Sequence, residues 1–109
     1  MTGSNDWRPI SQAEMHERLA DEESTLAPAL AAAYAAMRPA ALGHAFLHRS
    51  DAAGVERVFV VAERGSRAVF FDDVEDEFAI GTLEPDRQLR DVGLVGELRT
   101  AVSLLLDSR

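Results

Sequence analysis

The chain has 109 residues, 47% hydrophobic and 28% charged, with a formal net charge of −8 and no cysteine. That length suits one domain with a self-sufficient apolar core, and the composition is globular rather than disordered. Lack of cysteine excludes disulfides, thiolate metal sites and cysteine nucleophiles, while eleven basic residues scattered among nineteen acids speak against binding nucleic-acid phosphates.

All eleven basic residues are arginine, which fits the coding bias of a GC-rich bacterial genome. Residues 1–8 read as a flexible lead, with Trp7 expected to pack on something because of its size, and residues 9–109 as a single domain. The lead has neither the basic nor the apolar region of a secretory signal, so a cytoplasmic location is expected. The alanine-rich stretch 26–37 contains Pro28 and runs into Arg38-Pro39, so it is no membrane span.

Ser11-Gln12-Ala13-Glu14 is a capping box, with Ile10 and Met15 at the positions of a hydrophobic staple, and it predicts a helix from Gln12 to about Glu23. Ser24 or Thr25 is placed to cap a second helix, in which Leu26, Leu30, Ala33, Tyr34 and Met37 form one stripe and Pro39 ends the run. Residues 40–49 read as a strand, with a helical turn as the alternative.

Residues 55–83 hold three β-branched or aromatic runs separated by turn signals at Gly65-Ser66 and at residues 73–76, which predicts an antiparallel meander. Regular pairing puts Val58, Val60, Ala62, Val69, Phe71, Phe78 and Ile80 on a core face. The opposite face then carries Phe59, Val61, Glu63, Ala68, Phe70, Asp72, Ala79, Gly81 and Leu83. Residues 87–92 read as a short edge strand. Leu94, Leu98, Ala101, Val102 and Leu105 carry helical spacing for a last helix. The expected fold is α+β: two N-terminal helices, a four- or five-stranded antiparallel meander sheet, and a C-terminal helix packed on it.

Three helices of ~10 Å diameter suffice to cover one face of such a sheet, so Phe59, Val61 and Phe70 are expected to meet a second copy in a homodimer. The competing arrangement sends the last helix across to cover that face.

Asp72, Asp73, Glu75, Asp76 and Glu77 place five carboxylates in six residues. The run fails the spacing and glycine pattern of an EF-hand, so no metal site is assigned. It reads as a partner-binding patch for a basic protein, which long-range attraction would steer toward it. On the strand reading His44 and His48 start roughly 13 Å apart at ~3.3 Å per residue, too far to share one ion, whereas the helical alternative keeps a metal site possible but needs a third ligand from elsewhere. No nucleophile elbow, P-loop or dinucleotide fingerprint occurs, so no catalytic residue or cofactor is assigned and enzyme activity is disfavoured.

The functional expectation is a small acidic protein–protein interaction or regulatory module of immunity or adaptor type. The alternative is a small-molecule-binding protein or enzyme with a pocket between the N-terminal helices and the sheet, lined by Tyr34, His44, His48 and Arg49.

Overall fold

The capping box forms as the sequence predicts: Ser11 Oγ accepts from the Glu14 amide at 3.1 Å and Glu14 Oε1 accepts from the Ser11 amide at 2.9 Å. It opens α1 (Gln12–Glu23) in a computed structural model that describes residues 8–48 and 54–108. The elements that follow are α2 (Pro28–Met37), β1 (Gly43–His48), β2 (Val55–Arg64), β3 (Arg67–Asp72), β4 (Glu77–Leu83), β5 (Leu89–Gly96) and α3 (Leu98–Leu106). The five strands make one antiparallel sheet in sequential order, so the fold is the expected α+β arrangement with α3 packed on the sheet.

Several boundaries differ from the sequence reading. Ser24 and Thr25 close α1 instead of opening α2, each hydroxyl donating back to a carbonyl of the last turn, Asp21 and Glu22 respectively. Helix α2 starts with Pro28 in its first turn, where the missing amide costs nothing. Leu94 belongs to β5, which is longer than expected, and α3 starts only at Leu98. The amide of Leu98 donates to Glu22 Oε1 at 3.1 Å, so a carboxylate from α1 supplies the N-terminal cap that Glu97 does not. At the other end of α3, Arg64 donates to the carbonyls of Leu105 and Leu106.

The three helices lie on one face of the sheet. Met15, Leu19 and Tyr34 join Leu98, Ala101, Val102 and Leu105 over Phe59, Val61, Ala62, Val69, Phe71, Phe78 and Ile80 in one buried cluster. Beneath them Arg18 stacks over both Phe71 and Phe78 at 5.0 and 5.7 Å, so its guanidinium serves as cover as well as charge.

The facing expected for β2 is corrected upstream of Ala62. Phe59 pairs with Phe71 and Val60 with Phe70, but Ala62 pairs with Val69, so Val61 is an extra residue in the ladder. A bulge reverses the alternation on its far side. Phe59 and Val61 therefore face the helices, whereas Val58 and Val60 turn to the opposite face with Phe70. The three residues assigned to a dimer interface do not share a surface: Phe59 and Val61 lie under the helices, and Phe70 lies on the other side, 0% exposed.

That other side has its own core of Ala45, Leu47, Val58, Val60, Ala68, Phe70, Ala79 and Leu89, flanked by Leu83. No described helix covers it; instead the sheet curls until its first strand meets the β4–β5 connection. Phe46 bridges to Gln88 in parallel, its amide donating to Arg87 O at 2.8 Å, and Arg87 Nε donates back to His44 O at 3.0 Å. Arg87, turned by a positive φ of 70°, also lies 3.6 Å from Glu63. The sheet is thus close to a small barrel, and closure hides apolar surface that a flat sheet would expose.

Glycine matters at two points. Gly65 holds φ 62° in the β2–β3 turn, a conformation that penalises other residues. At Gly81 a Cβ would stand 3.1 Å from both Arg90 O and Val92 Cγ2, tighter than an ordinary contact, so glycine eases the approach of the bulged β5 to β4.

The cap makes a pH prediction. The Ser11 amide first, then the Arg8 guanidinium and Ser11 hydroxyl, hold the Glu14 carboxyl down from 4.5 to about 2. A folded pKa below the unfolded one means that this contribution is complete above pH 4.5 and is lost as pH falls through about 2. Carbon-detected NMR titration of Glu14 is expected to show that low midpoint, and Ser11→Ala is expected to cost about 1 kcal/mol in neutral-pH denaturation.

Candidate functional site

The acidic segment forms the β3–β4 turn, with Asp72 paired to Glu77 across the ladder and residues 73–76 as its loop. The structure divides its carboxylates by task. Asp72, 2% exposed, accepts at Oδ1 from the amides of Val74 and Glu75, both at 3.1 Å, and so shapes the turn. Asp73 Oδ2 accepts from the Ile10 amide at 2.9 Å. Asp76, held at φ 59°, accepts from Arg18 at 2.7 Å. Two of the five acids thus tie the entry and the middle of α1 to the sheet, a role the sequence does not signal because both partners lie some sixty residues away.

Glu75 is exposed and Glu77 half-buried. Asp73→Ala is expected to cost about 1–3 kcal/mol, since it strands the Ile10 amide, and hydrogen exchange should show faster opening at the start of α1.

Glu56 is the residue that reading the acidic run missed. It lies at the start of β2, and its side chain comes within 4.8 Å of the Asp72 and Asp73 carboxylates, each residue offering one oxygen to the cluster. Its place follows from the register: Phe59 pairs with Phe71, so the beginning of β2 runs past the end of β3. Such a trio could offer three oxygens to a hard cation, fewer than the six to eight that Ca²⁺ takes. Each of the three also has a further interaction within the chain. By strand alternation Glu56, Asp72 and Glu77 belong to the inner face of the curled sheet, at one of its ends.

The alternative pocket residues are dispersed. Tyr34 is in the helix-side core; its hydroxyl makes no well-formed hydrogen bond among the described residues, and burial first, then the nearby Glu23, pushes its pKa up. Arg38 lies 5.5 Å over its ring and 3.3 Å from Glu23. His44 stacks on Phe59 at 4.7 Å, with its pKa lowered by burial and then by Arg57 and Arg87. His48 is exposed and hydrogen-bonds Gln88. Both histidines are on β1, as the strand reading expects. Among the described residues no hydrogen bond or ring contact joins Tyr34 to either histidine, and Arg49 lies outside the described residues, as does Trp7.

A cleft of about 420 Å³ opens elsewhere, between Arg64 and Leu106, Asp107 and Ser108. Its arginine is occupied with the carbonyl end of α3. No described helix is long and apolar enough to cross a membrane. Comparison with family models, with curated proteins and with solved structures found no match.

Proposed function

We propose that this protein is a small acidic cytosolic module that works through contact with a basic protein, as regulators, adaptors and immunity-type inhibitors do. The observation that supports it is the gathering of carboxylates from three strand ends. Glu56, Asp72 and Asp73 lie within 4.8 Å, Glu77 stands across the ladder from Asp72, and Glu75 is exposed beside them. On a chain of net charge −8, such a cluster gives the surface a directed negative field, which accelerates encounter with a cationic partner and disfavours acidic ones. The division of labour within the turn fits this reading. Asp72, Asp73 and Asp76 fix the turn to the fold, leaving Glu75 and Glu77 on a rigid mount.

The test is capture of binding partners by the full chain, followed by titration calorimetry on whatever basic protein is recovered. Glu75→Gln/Glu77→Gln spares the structural carboxylates and is expected to weaken binding, with the difference shrinking as salt rises. Affinity that ignores both the double variant and the salt concentration would remove this reading.

A further inference from the structure

We infer that the partner engages this protein as an added β-strand along the edge of β5 that no described strand pairs with, through an extended segment that alternates apolar residues with lysine or arginine. This inference rests on the binding-module reading above and names where and how the contact is made.

Three observations carry it. The first is topological: β5 is the last strand of the sheet, and among the described residues β1 approaches it beside the bridge of Phe46 to Gln88, at the end that holds Leu89. The outward backbone groups of an edge strand are a template for another chain.

The second is an apolar strip at that edge. Val92 and Leu94 are 37% and 50% exposed, although the neighbours they overlie are buried: Leu94 pairs with Ala79, and Val92 lies over the Gly81 position, close to Phe70. Both side chains therefore extend the inner core to the rim of the sheet. Bulges on either side, with an extra residue near Asp91 and another at Val95, isolate them as a short pair on one face. A strand laid beside β5 would complete that core with its own apolar residues.

The third is charge. Asp91 is exposed at one end of the strip, and Glu77 lies at the other, its Oε1 4.0 Å from a Cβ placed on Gly96. Behind Glu77 stand Asp72 and Glu56. Arg90, the cation nearest in sequence, lies 3.3 Å from Glu84. An apolar strip bracketed by carboxylates selects a segment with basic residues flanking apolar ones. It also selects against a second copy of this chain, because pairing two β5 edges would bring Asp91 and Glu77 toward their own like charges on a molecule already at −8.

The probe is a fluorescein-labelled peptide of alternating lysine and valine, with alternating lysine and serine, and glutamate and valine, as comparisons. Fluorescence anisotropy on the full chain is expected to show saturable binding of the lysine–valine peptide and binding weaker by about tenfold or more for the other two. Hydrogen exchange should show new protection at amides 92–95. Val92→Thr/Leu94→Thr, which keeps strand-compatible side chains, is expected to remove most of the difference between the lysine–valine and lysine–serine peptides while leaving the latter's weak binding unchanged.

Equal binding of the two lysine peptides without protection of β5 would show ionic attachment alone. That result overturns the strand-addition inference and leaves the acidic-module reading standing. Protection of β5 without peptide, growing with protein concentration alongside a doubled mass, would make the occupant a second copy and overturn it too. Absence of binding by every peptide also overturns it, while the reading beneath it is decided separately by the captured partner and the Glu75→Gln/Glu77→Gln variant.

Discussion

Phe70→Glu is expected to unfold the chain rather than to separate an assembly. Phe70 is 0% exposed within one chain, packed in the inner core with Val60, Ala68 and Ala79. A carboxylate there has no water and no assigned cation, a penalty of several kcal/mol even after its pKa adjusts. Truncation alone is costly: Phe70→Ala should lose about 3–5 kcal/mol, because the transfer and cavity terms add. Against a total stability of about 5–15 kcal/mol for a domain of this kind, the first change removes the native state and the second leaves little of it. Circular dichroism with urea denaturation checks both. A folded Phe70→Glu chain of unchanged midpoint would mean that this face is open to solvent.

The second large effect concerns Val61. Deleting it would close the bulge. Val60 would stay opposite Phe70 and Ala62 opposite Val69, so no residue changes face, but the extra twist that a bulge gives a strand is lost together with a side chain that is 1% exposed. A flatter sheet draws Phe46 away from Arg87 and Gln88 and opens the inner core. The deletion is expected to cost roughly 4 kcal/mol or more, in the tail of single-residue effects. Val61→Ala keeps the backbone count and removes only side-chain contacts, so it should cost about 1–3 kcal/mol. Comparable losses for the two would show that the bulge does not shape the closure of the sheet.

The element order was legible in the sequence because local signals agree with the tertiary fold. Ser11 and Glu14 start α1, Pro39 stops α2, Gly65 turns β2 into β3, and Asp72 meets Glu77 around the four-residue loop that the turn residues imply. Faces were legible only where alternation is regular. Val69, Phe71, Phe78 and Ile80 fall on the helix side as read, whereas the first half of β2 does not, since a one-residue bulge in VFVVA leaves no mark on composition. Closure of the sheet was also hidden, because it rests on Phe46, Arg87 and Gln88, residues far apart in sequence with no motif between them. Likewise the acidic run was visible, but its union with Glu56 and the use of Asp73 and Asp76 to hold α1 depend on long-range register.

One chain buries both faces of its own sheet, the second by curling. The chain has no cysteine, so a single introduced thiol reports one site. Val60→Cys places it in the inner core, where the native side chain is 0% exposed, and Leu94→Cys places it on the open rim, where the native residue is 50% exposed. Thiol-exchange rates measured across protein concentrations are expected to be fast for Leu94→Cys. For Val60→Cys they should be slower by about a thousandfold or more, as befits a site reached only by global opening, with no dependence on concentration. Val60→Cys reacting as fast as Leu94→Cys would mean that the inner face is open to solvent, and protection that appears only as concentration rises would mean that a second copy covers it.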